Sequence, residues 1–168
     1  PSVKQKDWVR NDIDRFILSK LEAKGLTPAG DAKREVLVRR VYFDLVGLPP
    51  TPAEINEFVK DKSPDALANL IDRVLESPQF GEHWGRHWLD VVRYGESTGM
   101  ERNFTYPHAW RYRDYVIAAF NKDKPFDQFV REQIAGDELA TVTRESLIAT
   151  GFYRLGQWEF SADDKQLA

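Results

Sequence analysis

Three side chains that can bind a metal or move a proton recur at helical spacing in the middle of the chain. His83, His87 and Asp90 lie four and three residues apart, a spacing that places them on one stripe of a helix. Imidazole and carboxylate groups on such a stripe could hold a divalent metal ion. The alternative is structural: Asp90 accepts a hydrogen bond from His87 or Arg86. The residues alone leave both interpretations open.

Acidic and basic side chains continue just beyond this stripe. Residues 95–106 form an irregular stretch that contains Glu96 and Glu101, and Arg111 and Arg113 follow. Two carboxylates could ligate Ca²⁺ or act as an acid–base pair if the fold brings them together. The candidate catalytic residues are therefore His87, Asp90, Glu96, Glu101, Arg111 and Arg113. The structural alternative is a buried ion-pair network in which Arg113 meets Asp114, Glu96 or Asp90.

Aromatic residues surround the acidic loop. They are Tyr94, Phe104, Tyr106 and Trp110. Exposed rings beside carboxylates and arginine can stack on sugar faces, which makes carbohydrate a candidate partner. Rings at helical spacing are also typical of a hydrophobic core.

The elements that must position these residues are helices. Ser or Thr followed by Pro, at Thr51, Ser63 and Ser77, predicts three helix starts, because Pro fits the first helical position. Apolar periodicity predicts helices over about 11–24, 31–47, 52–60, 64–75, 78–94, 107–121, 125–135 and 143–150. No segment alternates with period two as strands do. We predict an all-α fold: a single compact domain of about eight helices with irregular loops over residues 1–168, with extended ends at 1–10 and 157–168.

The predicted helix over 78–94 carries two glycines on its apolar side. Gly81 and Gly85 fall on the same face as Phe80, Trp84 and Trp88. Each glycine costs about 1 kcal/mol of helix propensity relative to Ala. This pattern predicts that another helix crosses closely at the two glycines.

The composition of the chain argues against several classes of protein. The 168 residues carry a net charge of −3, which argues against broad nucleic-acid binding. No apolar run reaches the length of a membrane span, and the absence of Cys excludes thiol catalysis, disulfides and haem attachment within these residues. The chain begins Pro-Ser-Val-Lys without a signal segment, so we expect a processed product or a piece of a larger multidomain protein.

Several segments together resemble a known family, the second planctomycete-type cytochrome c-associated domain, whose activity is uncharacterised. They extend over nearly the whole chain: NDIDRFI (11–17), RRVYFDLVGLPPTP (39–52), GRHWLDVVRY (85–94), AWRYRDYV (109–116), KPFD (124–127), AGDEL (135–139) and ATGF (149–152). The resemblance implies a periplasmic or extracellular setting. It also implies haem c in the parent protein, with haem-bearing domains as partners, although this chain itself holds no cofactor.

The resemblance supplies no catalytic residues. The family position that matches His83 is often Arg, which favours His87, Asp90 and the acidic loop over a two-histidine metal site. Two functions follow as alternatives. One is a helical scaffold or interaction module of an exported cytochrome c-associated protein. The other is an enzyme domain, linked to an oxidoreductase or active on polysaccharide, with its site around His87, Asp90 and the loop 96–101.

Overall fold

The computed structural model describes residues 1–99 and 103–156, and this part of the chain confirms the all-α fold. Its eight α-helices are α1 (Asp12–Ala23), α2 (Arg34–Val46), α3 (Pro52–Lys60), α4 (Ala66–Leu75), α5 (Pro78–Val91), α6 (Trp110–Asn121), α7 (Phe126–Ala135) and α8 (Arg144–Ala149). Short 3-10 helices cover Lys6–Trp8 and Thr150–Tyr153. Within the described residues, none of the helices combines the length and apolar character that crossing a membrane requires.

The helix starts predicted at Thr51 and Ser77 are confirmed, since α3 begins at Pro52 and α5 begins at Pro78, although the Ser77 side chain makes no capping hydrogen bond. Thr51 caps α3 in a capping box with Glu54: the Glu54 N–H donates to Thr51 Oγ1 (3.3 Å) and the Thr51 N–H to Glu54 Oε2 (2.7 Å). Thr143 caps α8 in the same way with Ser146. Such caps contribute about 1 kcal/mol each.

Four predicted helix boundaries are wrong by a few residues, and the first is the start of α2, which lies at Arg34 instead of about residue 31. Ser63 is not a cap, because α4 begins only at Ala66 and Asp65 is at its N-cap position. The Ser63 N–H donates to Asp61 Oδ1 (2.8 Å). Pro107 begins a turn that leads into α6 at Trp110. α5 ends at Val91 because Arg93 adopts a left-handed backbone conformation (φ 53°).

The chain divides into two compact units, residues 1–33 and 34–168. In the first unit, Glu22 of α1 accepts hydrogen bonds from the backbone N–H groups of Lys4 (2.8 Å) and Gln5 (3.1 Å). Residues 6–8 are a 3-10 helix, so the segment 1–10 is extended only in part. The predicted end 157–168 lies outside the described residues, and the single domain over 1–168 stays a prediction.

The second unit contains two hydrophobic cores. The first joins α2, α3 and α4 around Val38, Phe58 and Leu70. The second surrounds α6, with Tyr112, Val116 and Phe129 among its buried side chains. α5 belongs to both, because Phe80 packs against the first core and Trp88 and Leu89 pack against the second.

α5 and α6 cross closely at the two glycines, as predicted. A Cβ atom on Gly81 would lie 2.4 Å from the Ile117 carbonyl oxygen of α6, whereas one on Gly85 would lie 3.4 Å from the nearest Ile117 side-chain atom. The Gly81 N–H donates to Asn121 Oδ1 (2.7 Å), and Asn121 Nδ2 donates to the Pro78 carbonyl (3.1 Å). This crossing fixes α5, the helix that carries the predicted histidine stripe.

Candidate functional site

Three rings on α5 form a continuous patch, which we name the α5 ring surface: His83, Trp84 and His87. The His83 and His87 ring centroids are 5.5 Å apart with the rings nearly perpendicular, and the Trp84 centroid lies 5.4 Å from that of His87. Trp84 is 36% exposed, and His87 is exposed as well. The predicted i, i+4 spacing therefore brings the two imidazoles together.

His83 is also used to pack the end of α2 against α5. Gly47 follows α2 with φ 70°, and a Cβ atom there would lie 2.4 Å from His83 Nδ1. The half-buried His83 ring thus occupies the space beside a glycine whose conformation other residues rarely adopt. This contact gives His83 a structural role.

Asp90 does not form the structural hydrogen bond that the sequence suggested. Its side chain is exposed, and among residues 1–99 and 103–156 it has no hydrogen bond or ion pair to His87, Arg86 or any other residue. The described residues also contain no group of three or more His, Asp or Glu side chains that could hold a metal ion. The metal site at His83, His87 and Asp90 stays a prediction.

The arginine network that the sequence suggested does form around Arg113. Its guanidinium lies 2.9 Å from Asp114 Oδ1 and 3.5 Å from Glu96 Oε1, and the Tyr94 hydroxyl donates to the same Glu96 oxygen (3.2 Å). The hydrogen bond to Asp114 raises the pKa of Arg113. Burial, together with the Glu96 charge, raises the pKa of Tyr94 to about 12. The expectation of burial is wrong, however, because the Arg113 side chain is 41% exposed.

The remaining candidates separate into two clefts. Glu96 lines a cleft of about 440 Å³ with Asn103 and Trp110. Arg111 lines another of about 460 Å³, and Tyr106 borders both. Neither cleft includes His87 or Asp90 among its described lining residues. Glu101 lies outside the described residues.

The aromatic residues near the acidic loop divide between surface and core. Phe104 is 55% exposed and Trp110 is 43% exposed, and Arg111 lies over the Trp110 ring at 5.0 Å. Tyr94 is instead half-buried and stacks on Tyr112, with ring centroids 6.4 Å apart. Trp110 is therefore the ring of this group that combines exposure with a position in a cleft.

Two buried polar networks join α6 to its neighbours, and sequence analysis missed both. In the first, the Trp88 indole N–H donates to Gln133 Oε1 (3.0 Å) and Tyr112 Oη (3.2 Å), and the Tyr112 hydroxyl also donates to Gln133. One sequence pattern could have indicated both networks. Glu132 and Gln133 follow Phe129 by three and four residues, so these two polar side chains share the face of α7 that buries Phe129.

The second network surrounds a buried carboxylate. Glu132 accepts hydrogen bonds from Tyr115 (2.7 Å), Gln128 (2.8 Å) and the Lys124 ammonium (2.5 Å). Burial alone would raise the pKa of Glu132, but these hydrogen bonds outweigh it and lower the pKa. Both side chains of the ion pair are buried, Lys124 at 8% and Glu132 at 6% exposure.

Comparison with known proteins identifies the family without adding an activity. No curated protein and no solved structure shows significant similarity to this chain. Residues 12–168 match PSCyt2, described as a protein of unknown function (DUF1549). The chain therefore belongs to the PSCyt2 family.

Proposed function

We propose that this domain is a non-catalytic helical scaffold in an exported, cytochrome c-associated multidomain protein. Its role is to position the haem-bearing regions of the same polypeptide, in the periplasm or outside the cell. The family name PSCyt2 supports a cytochrome-associated setting. The haem belongs to the partner regions, since a chain without Cys offers no thioether attachment.

The observation that carries the proposal is the α5 ring surface. Trp84 presents a large exposed ring between His83 and His87, on a helix fixed by close packing against α6 and α2. Tryptophan is enriched among the residues that dominate binding energy at protein interfaces. A rigid helix that presents such a ring loses little conformational entropy on binding. This surface therefore suits a stable contact with a folded neighbour.

The pairing of charged side chains with one another also supports a scaffold. Arg113 is paired with Glu96 and Asp114 at the surface, and Lys124 is paired with Glu132 in the interior. Carboxylates held in such pairs are less available for proton transfer, and the buried pair also has a structural role. Of the other candidate catalytic residues that the structure describes, Arg111 lines a cleft that contains neither His87 nor Asp90, which lie on α5.

A binding measurement with matched tryptophan variants tests this proposal. The haem-bearing region of the parent polypeptide is titrated into the 168-residue chain by calorimetry. We expect Trp84→Ala to weaken binding about 30-fold, the effect of losing about 2 kcal/mol at an interface hot spot. Trp110→Ala is the control, because Trp110 is similarly exposed, at 43%, but lies outside the α5 ring surface.

The outcome separates three cases. Loss of binding in Trp84→Ala alone supports the scaffold. Equal affinity for both variants and the wild type contradicts the role of the α5 ring surface. The absence of binding by the wild-type chain, or of covalent haem in the parent polypeptide, contradicts the proposal as a whole.

The enzyme interpretation is favoured by one observation, the pair of clefts that share Tyr106. One contains Glu96 and the exposed Trp110 ring, and the other contains Arg111. A carbohydrate chain that stacks on Trp110 could present hydroxyls to both charged groups. This alternative predicts that Trp110→Ala, rather than Trp84→Ala, is the variant that loses its ligand.

A further inference from the structure

A pocket with aromatic walls lies among α5, α6 and α7, away from the surfaces discussed above. Its volume is about 290 Å³, and its lining includes Phe80, Trp88, Phe120, Phe126, Asp123 and Lys124. Trp88 stands edge-on to Phe126, with ring centroids 6.4 Å apart. Because the Trp88 indole N–H is directed to Gln133 and Tyr112, the pocket receives ring surface and no hydrogen-bond donor from this side chain.

Asp123 stands at this pocket in a conformation that opposes stability. It follows α6 with φ 46°, in a closing turn where its N–H donates to the Phe120 carbonyl (3.1 Å) and the Lys124 N–H donates to the Ala119 carbonyl (2.9 Å). Glycine or asparagine is usual at this left-handed position. An acidic side chain here also faces the negative end of the helix dipole. Asp123 is thus unfavourable on both counts.

The end of α5 shows the same turn with the opposite charge. Arg93 has φ 53°, its N–H donates to the Asp90 carbonyl (3.1 Å), and the Tyr94 N–H donates to the Leu89 carbonyl (2.9 Å). A cation at a helix C-terminus is favoured by the dipole. Arg93 is therefore explained by local electrostatics, whereas Asp123 is not.

Neighbouring cations do not compensate the Asp123 carboxylate. Lys124 is paired with Glu132 and lies 3.6 Å from Glu145, and Lys122 is paired with Glu145 (2.9 Å). In the described part of the chain, Asp123 itself has no hydrogen bond or ion pair to its side chain. The charged residues that line the pocket are Asp123 and Lys124. Because Glu132 neutralises Lys124, the Asp123 carboxylate is the lining charge that remains uncompensated beside the aromatic walls.

We propose that this pocket binds a small alkylated ammonium group. Aromatic faces attract cations through the ring quadrupole, and the attraction strengthens when the cation is desolvated. The Asp123 carboxylate and the carbonyl groups at the end of α6 add negative potential at the same place. The methyl groups of a trimethylammonium group can contact the apolar walls. Its positive charge is attracted by the aromatic rings and by the Asp123 carboxylate. The pocket volume of about 290 Å³ leaves room for a choline-sized ligand.

The test compares two ligands of nearly equal shape and different charge. Choline and its neutral isostere, 3,3-dimethylbutan-1-ol, are titrated into the 168-residue chain and followed by NMR chemical shifts and calorimetry. We expect choline to bind at least about 10-fold more tightly than the neutral isostere. Equal binding of the two, or no binding of choline, overturns the proposal.

Variants locate the interaction without destroying the fold. Asp123→Asn keeps a residue suited to the left-handed position and removes the charge, and we expect it to weaken choline binding at least about 10-fold. Phe126→Leu keeps apolar volume at a residue that is 70% exposed and removes one ring. Asp127→Asn is the control, because Asp127 pairs with Arg131 outside the pocket lining. Unchanged binding in Asp123→Asn and Phe126→Leu contradicts the site.

A trimethylammonium group occurs both in free solutes and in phosphocholine lipid headgroups. Vesicles of phosphatidylcholine and of phosphatidylglycerol distinguish these sources. Binding of free choline without vesicle binding identifies a solute, and selective binding of phosphatidylcholine vesicles identifies a headgroup. This inference is independent of the scaffold proposal, since its residues lie outside the α5 ring surface.

Discussion

Gly81→Ala is expected to lower the free energy of unfolding by about 2 kcal/mol, whereas Gly85→Ala leaves it unchanged or raises it. The new Cβ atom at Gly81 would lie 2.4 Å from the backbone carbonyl oxygen of Ile117 and 2.6 Å from Asn121 side-chain atoms. Backbone cannot move aside without separating α5 from α6. Overpacking costs about 1–3 kcal/mol. A clash with backbone falls at the upper end of that range, so subtracting the gain of about 1 kcal/mol in helix propensity leaves a net loss of about 2 kcal/mol.

Gly85 provides the matched control on the same face of α5. A Cβ atom there would lie 3.4 Å from the Ile117 side chain and 3.5 Å from that of Val116, which are ordinary contact distances. The propensity gain of about 1 kcal/mol should therefore be retained in part. Urea unfolding followed by circular dichroism measures both variants. If Gly81→Ala is as stable as Gly85→Ala, the close crossing of α5 and α6 is wrong.

Loss of one partner from the buried Lys124–Glu132 pair is the second large effect. Lys124→Met leaves a buried carboxylate without its cation, and such changes cost about 3–5 kcal/mol. Lys122→Met is the control, since the Lys122–Glu145 pair is more than half exposed and such pairs contribute about 0–1 kcal/mol. Adding Glu132→Gln to Lys124→Met should recover part of the loss, because the uncompensated charge is then removed.

The same pair predicts how stability depends on pH. The hydrogen bonds to Glu132 lower its pKa in the folded protein. Its contribution is therefore fully present above the unfolded-state pKa of about 4.3 and is lost as the pH falls through the lower, folded value. Glu132→Gln should flatten the decline of stability in this acidic range. An unchanged acid profile, together with a small effect of Lys124→Met, would contradict the buried pair.

The features that were best predicted from the sequence are those that depend on residues a few positions apart. The caps at Thr51 and Thr143 depend on residues three positions away, and Gly81 and Gly85 predicted the helix crossing through a simple lack of side-chain volume. The prediction at Ser63 was wrong because the chain forms a local turn there, with the Ser63 N–H bonded to Asp61 Oδ1, and α4 begins only at Ala66. A local turn and a helix cap differ too little in free energy for a sequence pattern to show which of the two forms.

Contacts between helices were harder to predict. The Arg113 cluster was anticipated because its partners were few and near, but its exposure was not. Glu132 was missed because its partners Tyr115 and Lys124 come from α6 and the turn after it, and only the packing of α7 against them brings the three together. Burial in α1 does not follow apolar character alone: Ile13 and Phe16 are 70% and 62% exposed, while Leu18 is fully buried.

The non-catalytic character of the proposed scaffold has its most direct test in the metal content of the protein. The chain is purified without added metal and analysed for elements, alongside His87→Ala and Asp90→Ala. For a non-catalytic scaffold we expect no stoichiometric metal in any of the three proteins, whereas the metal site predicted at His83, His87 and Asp90 requires one equivalent in the wild type. We also predict little change in stability for Asp90→Ala, because Asp90 is exposed and has no partner among the described residues. One equivalent of metal in the wild type that is lost in both variants, with the helical fold retained, would contradict the non-catalytic scaffold and establish a metal centre on α5.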